Sequence, residues 1–458
     1  MLRTDVIGIE ADEVRMLATE GFLFGAPLVA MDLVRRAHTS PCARFVRLPP
    51  DPAALAPGLP RGGGDTLFAS SAWLDLAEGP LVLSLPDLHG RYAVVALFDA
   101  WGRPLASLGS RTVGGRGRDV AVVGPDWRGE LQGQLSAVRS PSRSAWATLH
   151  LWANGAPDLE AARELHRRFF VTPLLDPRSR PPLTDTAPLV PATPLHEALA
   201  ALSAQTFFHR LAGLLAGAPP AREERTSLET LALIGVRPGQ PFECAHWPED
   251  CFAALVQGLE DGRARLAVQP DLIPGWRCAD ATLRGAGHRL STLGAPPRED
   301  ILSLVAEADD NGRPLDGSHR YELRFDASHT PPAEAFWSLE VLGPGGAPQE
   351  VEYGRAGLSD RGAVVWGPNQ DLHVPIQRRR PARDSGNWLV TPTGAFSLRL
   401  QMCWPRGAAL DGGWAPPRLK DLGPARGAST VFTAGTRRRA RLAGWAFAAG
   451  PTSMQGGM

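Results

Sequence analysis

Five charged residues stand at fixed places between apolar runs in one stretch of the chain: Asp65, Asp75, Arg91, Asp99 and Arg111. Carboxylates and guanidinium groups so placed have two uses. Converging on one point, Asp65, Asp99 and Arg111 would form a general acid/base set, the carboxylates moving protons and the guanidinium holding a developing anion. Paired with one another, they would be salt bridges that fix loops, because a buried charge needs a partner. Gly62-Gly63-Gly64, just before Asp65, could turn backbone N–H groups toward an anion. No Lys, Ser or Thr completes a phosphate loop there, so a tight turn is the plainer use.

The elements that must position these groups can be read around them. Leu81 to Leu85 is an apolar run bounded by turn residues, which predicts a buried strand. Tyr92 to Phe98 predicts another, joined to the first as a hairpin through Pro86-Asp87-Leu88-His89-Gly90. Strands are also expected at 120–123, 144–151 and 321–325. His150 alternates with Leu149 and Leu151 and so belongs to the opposite face. Residues 10–38 carry helical spacing interrupted by Gly21, Gly25 and Pro27, which favours two short helices over one. Asp158 opens a further helix as its N-cap. Helices are expected at 196–215, 228–234, 251–258 and 283–293. Phe396, Leu398, Leu400 and Met402 alternate along a last strong strand.

Composition narrows the chemistry. The 458 residues hold 48 basic and 48 acidic side chains, so zero net charge gives no reason for wholesale nucleic-acid or membrane binding. Lys420 is the lone lysine, in PPRLKDLGP; Schiff-base and Walker-type chemistry lack their residue. Five scattered cysteines suggest neither a disulfide framework nor a zinc site. Glu243-Cys244-Ala245-His246 has no further ligand at diagnostic spacing, and Asp309 to Gly317 lacks EF-hand spacing. No nucleophile elbow, HExxH helix, dinucleotide fingerprint or kinase set is present. No cofactor and no metal are expected. No apolar run reaches ~18 residues, so no membrane span is expected, nor a signal peptide. The reading is cytoplasmic, with a homo-oligomer compatible.

GDTLFASSAWLDL, GPLVLSLPD, GRYAVVALFDAW and ASLGSRTVG together resemble the bacterial domain-of-unknown-function family twelve-fifty-four. HTPPAEAFWSLEVLG, GNWLVTPTGAFSLRLQMCWP and GGWAPP resemble its usual partner, family twelve-fourteen. The resemblance spans about residues 12–420. The chain departs from the pattern at Gly63 and Phe68, where the family has an amide and a phenol. Trp73, Trp101, Trp337, Trp388 and Trp404 recur inside the matched motifs, as core or as the wall of an apolar cleft. Arg91, Trp101, Trp337, Asn387 and Trp388 are the candidate ligand-binding residues.

The expected fold is α+β and multidomain. N-terminal helices fill 1–40 and a first β-domain 41–155. A helical region follows at 156–305 and a second β-domain at 306–420, both β-domains mainly antiparallel and sandwich- or jelly-roll-like. Residues 421–458 form a tail with an Arg-rich segment, either solvated or in contact with an anionic surface. Two functions stay open. One is a small-molecule enzyme using the charged residues of the first β-domain. The other is a non-catalytic ligand-binding or assembly protein.

Overall fold

The computed structural model describes residues 9–38, 43–49, 52–60, 66–131, 133, 135–175, 191–266, 275–278, 289–346, 349, 351, 354–362, 364–382 and 386–425. Where two short helices were expected there is one, α1 (Ala11–Ala37), with Pro27 inside it. Gly21 and Gly25 do not break it; they admit neighbours. A Cβ on Gly21 would lie 2.4 Å from Leu231 Cδ2, and one on Gly25 2.5 Å from Leu211 Cδ2. From Gly21 to Val34 apolar residues run round the helix, as in a segment buried on most sides, while Glu13, Arg15 and Glu20 before it are exposed. By length and composition α1 also passes for a membrane span, against the expectation of none. In the structure 83% of its most apolar window is buried inside the protein.

The first β unit follows. It comprises β1 (Val46–Arg47), β2 (Leu67–Asp75), β3 (Leu81–Leu85), β4 (Ala93–Asp99), β5 (Pro104–Gly109), α2 (Ser110–Val113), β6 (Arg118–Val123), β7 (Ser136–Arg139), β8 (Ser144–Trp152), α3 (Leu159–His166) and β9 (Phe170–Pro173). One antiparallel sheet runs β1-β2-β8-β4-β5; the other runs β7-β6-β3-β9. The expected hairpin of 81–85 with 92–98 does not form. β3 pairs with β6 and β9, while β4 pairs with β5 and β8. The Pro86–Gly90 turn, with φ of 47° at His89 and 76° at Gly90, carries the chain between sheets. Tyr92 to Phe98 reads as a continuous apolar run because both faces of β4 are covered. Ala93, Val95 and Leu97 meet the core shared with the second sheet. Val94, Ala96 and Phe98 meet the core under α1.

The helical layer is α4 (Leu195–Ala200), α5 (Ala204–Leu215), α6 (Arg225–Leu233) and α7 (Glu249–Leu266). Ser203 caps α5 by accepting a hydrogen bond from Thr206 N at 3.2 Å. Gly258 lets α7 lie against α1, since a Cβ there would be 2.4 Å from the Arg15 carbonyl oxygen. Of the segment expected as a helix at 283–293, residues 283–288 lie outside the described residues.

The second β unit comprises β10 (Trp276–Cys278), β11 (Ile301–Ala306), β12 (His319–Phe325), β13 (Ala333–Leu342), β14 (Gly357–Ser359), β15 (Leu372–Ile376), β16 (Ser397–Pro405), α8 (Gly407–Leu410) and β17 (Lys420–Pro424). Its sheets run β10-β11-β16-β13-β14 and β15-β12-β17. Phe396, Leu398, Leu400 and Met402 do share one face, toward the core between these sheets. Strand pairing moves the expected boundaries. β9 joins the first unit, and β10 and β11 join the second, so 156–305 is not helical throughout. Residues 421–424 of the expected tail are in β17, and 426–458, with the Arg-rich segment, lie outside the described residues. The fold is α+β, with mainly antiparallel sheets in two units, β6 and β7 being paired parallel, and helices between the units in sequence.

Candidate functional site: the junction of the two β units

Asp99 ends β4. Its Oδ1 accepts hydrogen bonds from the backbone N–H of Trp101 and Arg103 at 2.8 and 2.9 Å. Burial pushes its carboxyl up from the ordinary value, against those same hydrogen bonds. The second unit repeats the turn. Asp309 Oδ1 accepts from the N–H of Asn311 and Arg313, also at 2.8 and 2.9 Å. Each turn reads Asp-x-x-Gly-Arg, with Gly102 at φ 73° and Gly312 at φ 76°. A residue that closes the same turn twice is using its carboxylate as a backbone acceptor.

Arg111 stands at the other end of the β4–β5 hairpin. Five residues of strand, about 16 Å, separate that end from Asp99, so the two do not meet. Arg111 instead makes a bidentate pair with Asp300, Nε to Oδ1 at 2.8 Å and Nη2 to Oδ2 at 3.2 Å. Asp300 is 2% exposed, and it also accepts a hydrogen bond from the Ser107 hydroxyl. Its backbone oxygen accepts from Tyr92 Oη and Trp404 N, both at 2.7 Å. The hydrogen bonds that Arg111 donates to the Asp300 carboxylate raise its guanidinium above the ordinary value. Asp65 and Gly62 to Gly64 lie outside the described residues.

Arg91 lies at the same end as Arg111. Ser110 Oγ links the two strands there, accepting from Ala93 N at 3.0 Å and donating to the Arg91 oxygen at 3.2 Å. Arg91 is paired with Asp158, Nε to Oδ2 at 2.8 Å. The Asp158 side chain therefore does not cap α3, as its position had suggested. It accepts from Arg91 and from Asn154 N at 2.8 Å. The hydrogen bond from Arg91 holds its carboxyl below the ordinary range.

The other expected binding residues do not come to this junction. Trp101 is buried under α1, 5.1 Å from the Phe24 ring centre, with its indole N–H on the Ala218 oxygen. Trp337 packs on Phe325 in the second core. Asn387 is fully buried, accepting from Val365 N and donating to the oxygens of Val365 and His373. Trp388 donates its indole N–H to the Gln377 oxygen at 2.8 Å. Each is a fastener. Cys244 is buried and His246 exposed, so that pair does not converge either. Among the described residues no cluster of His, Cys, Asp and Glu could hold a metal.

The open space lies between the units. A cleft of about 440 Å³ is walled by Thr66, Trp152 and Ala153 on one side and by Phe336, Ser338 and Arg361 on the other. Strand register builds the second wall. Ser338 pairs with Ser359 across β13 and β14, so Phe336, two residues before, faces Arg361, two residues beyond. The Arg361 guanidinium carbon stands 4.2 Å from the Phe336 ring centre. Its Nη1 is buried without a hydrogen-bond partner. Burial pushes this guanidinium down from its ordinary value; Cys403, Asp360 and Asp158 act the other way. Phe336 in turn meets Tyr92 edge-on at 6.1 Å and Trp152 at 5.8 Å. Arg91 and Arg111 are each occupied by a carboxylate, whereas Arg361 shows none within ion-pair distance among the described residues. No sequence spacing announces Arg361, which meets Phe336 only through strand pairing.

The chain matches two family models: Protein of unknown function (DUF1254) over residues 44–173, and Protein of unknown function (DUF1214) over residues 300–407. No curated protein matches it. The crystal structure of the VPA0106 protein from Vibrio parahaemolyticus shares the fold, with a TM-score of 0.63 at 20% identity, over 89% of this chain and 99% of that one. An uncharacterized protein from Burkholderia cenocepacia gives a TM-score of 0.43 at 12% identity, covering 88% of each chain. The first model lies on the first β unit and the second on the second, so the chain matches the DUF1254 and DUF1214 models in turn, one in each β unit.

Proposed function

We propose that the protein binds a small organic anion in the cleft between its β units, with Arg361 as the anion's partner. The observation that carries this is the buried, unpartnered Nη1 of Arg361 beside a cleft of about 440 Å³. A buried donor without an acceptor costs about 1–3 kcal/mol, and a ligand oxygen would remove that cost. The volume is in the range of small-molecule sites, which bury an apolar body and fix it with a few polar groups. Trp152 and Phe336 supply the apolar walls. In this reading each β unit is a two-sheet sandwich serving as a rigid wall, and Arg91 and Arg111 hold the junction in shape.

The probe is decanoate, with decanol as the uncharged control, followed by thermal unfolding. A ligand at a hundred times its Kd stabilises the folded state by about 2.7 kcal/mol. Decanoate is expected to stabilise the wild type, decanol to do so far less, and Arg361→Gln to abolish the difference. Equal shifts in wild type and Arg361→Gln would sink the proposal.

A further inference from the structure

The far end of the same cleft holds a second unsatisfied group. Alternation along β13 puts Phe336, Ser338 and Glu340 on the cleft face, while Trp337 and Leu339 face the core. From Phe336 to Glu340 is four strand residues, about 13 Å. The Glu340 side chain is 9% exposed, and its Oε2 accepts from Arg399 Nη2. Its Oε1 is buried without a partner. The charge is thus answered by Arg399, and one acceptor remains. Gly357, opposite Glu340 in β14, leaves room for it: a Cβ there would stand 3.0 Å from Glu340 Cγ. Ser338 and Gln401, cross-strand partners, lie midway along the cleft.

We propose that the cleft selects a carboxylate carrying a hydrogen-bond donor at its opposite end, an ω-hydroxy or ω-amino carboxylate, read by Arg361 at one end and Glu340 Oε1 at the other. This rests on the Arg361 reading above. A hydroxyl and an ammonium share the donor chemistry, and a carboxylate acceptor makes the stronger kind of hydrogen bond with either. A plain carboxylate leaves Glu340 Oε1 facing a methyl group.

Titration calorimetry on the full chain with decanoate, ω-hydroxydecanoate and ω-aminodecanoate tests this. At least one ω-substituted compound is expected to bind about tenfold more tightly than decanoate, a difference of about 1.4 kcal/mol. The tighter of the two names the donor. Glu340→Gln gives Arg399 its oxygen and turns an NH₂ into the cleft, so a preference for the ω-ammonium is expected to vanish; an ω-hydroxyl can accept from that NH₂, and its preference is read in the double variant below. Should that variant not fold, the double variant Glu340→Met/Arg399→Leu leaves no lone charge and reads the same quantity. Equal affinities for all three compounds in the wild type overturn this inference, as does an ω-ammonium preference that survives in Glu340→Gln or any preference that survives in the double variant. If decanoate still binds and is lost in Arg361→Gln, the cleft reading stands without it. If none of the three binds, both fall.

Discussion

Asp300 and Arg111 form a bidentate ion pair between the two β units, the carboxylate 2% exposed and the guanidinium side chain 28%. The asymmetry of burial makes the two halves unequal. Removing Arg111 leaves a buried carboxylate with only Ser107 to answer it. Replacing Asp300 leaves a guanidinium that can turn toward water. Breaking a fully buried pair costs about 3–5 kcal/mol, and partial exposure of the arginine lowers the expectation to about 2–4 kcal/mol. Arg111→Met should therefore destabilise more than Asp300→Asn in urea unfolding, and the double variant should cost less than the two singles summed. Additive losses would mean that the pair does not couple the units.

The sequence carried the strands more clearly than their partners. Leu81 to Leu85 and Tyr92 to Phe98 are visible as apolar runs, but nothing local says that the turn between them changes sheets. The charged positions were legible in the same limited sense. Arg91 and Arg111 mark the junction, yet the carboxylates that occupy them, Asp158 and Asp300, lie far along the chain. Asp99, expected in an acid/base set, stands in an Asp-x-x-Gly-Arg turn repeated at Asp309, where its carboxylate accepts from backbone N–H groups. Helix α1 looked broken because glycines that serve close packing resemble glycines that end helices. Arg361 and Glu340 could not be found without the register of β13 against β14 and β16.

Asp158 gives the protein a pH-dependent fastening. Arg91 holds its folded-state pKa below the unfolded value, which is about 3.9. A depressed carboxyl contributes stability that is fully present above the unfolded pKa and is lost as pH falls through the folded one. The stability gap between wild type and Asp158→Asn should be constant from neutral pH down to about pH 5 and narrow below about pH 4. Urea midpoints across that range read it directly. A gap that stays the same down to pH 3 would mean the Arg91 pair is not what stabilises the carboxylate.

One face of the first sheet buries polar groups that find no partner. Thr148 Oγ1, Ser71 Oγ, both ring nitrogens of His150 and the indole nitrogens of Trp73 and Trp146 are all buried without a hydrogen bond. Strand register brings them together: Ser71 pairs with Thr148, and Trp73 with Trp146. Burial, with nearby His166 acting in the same direction, pushes the His150 imidazole down to about 3, so it is neutral and costs less than a charged ring would. An unpartnered buried hydroxyl costs about 1–3 kcal/mol, whereas an apolar group of the same shape costs nothing comparable. Thr148→Val changes the hydroxyl to a methyl without changing the branch that suits a strand. It is expected to raise stability by about 1–2 kcal/mol in urea unfolding. A loss of stability instead would show that the hydroxyl is hydrogen-bonded in solution, for which an ordered water shared with Ser71 and His150 is the fitting partner.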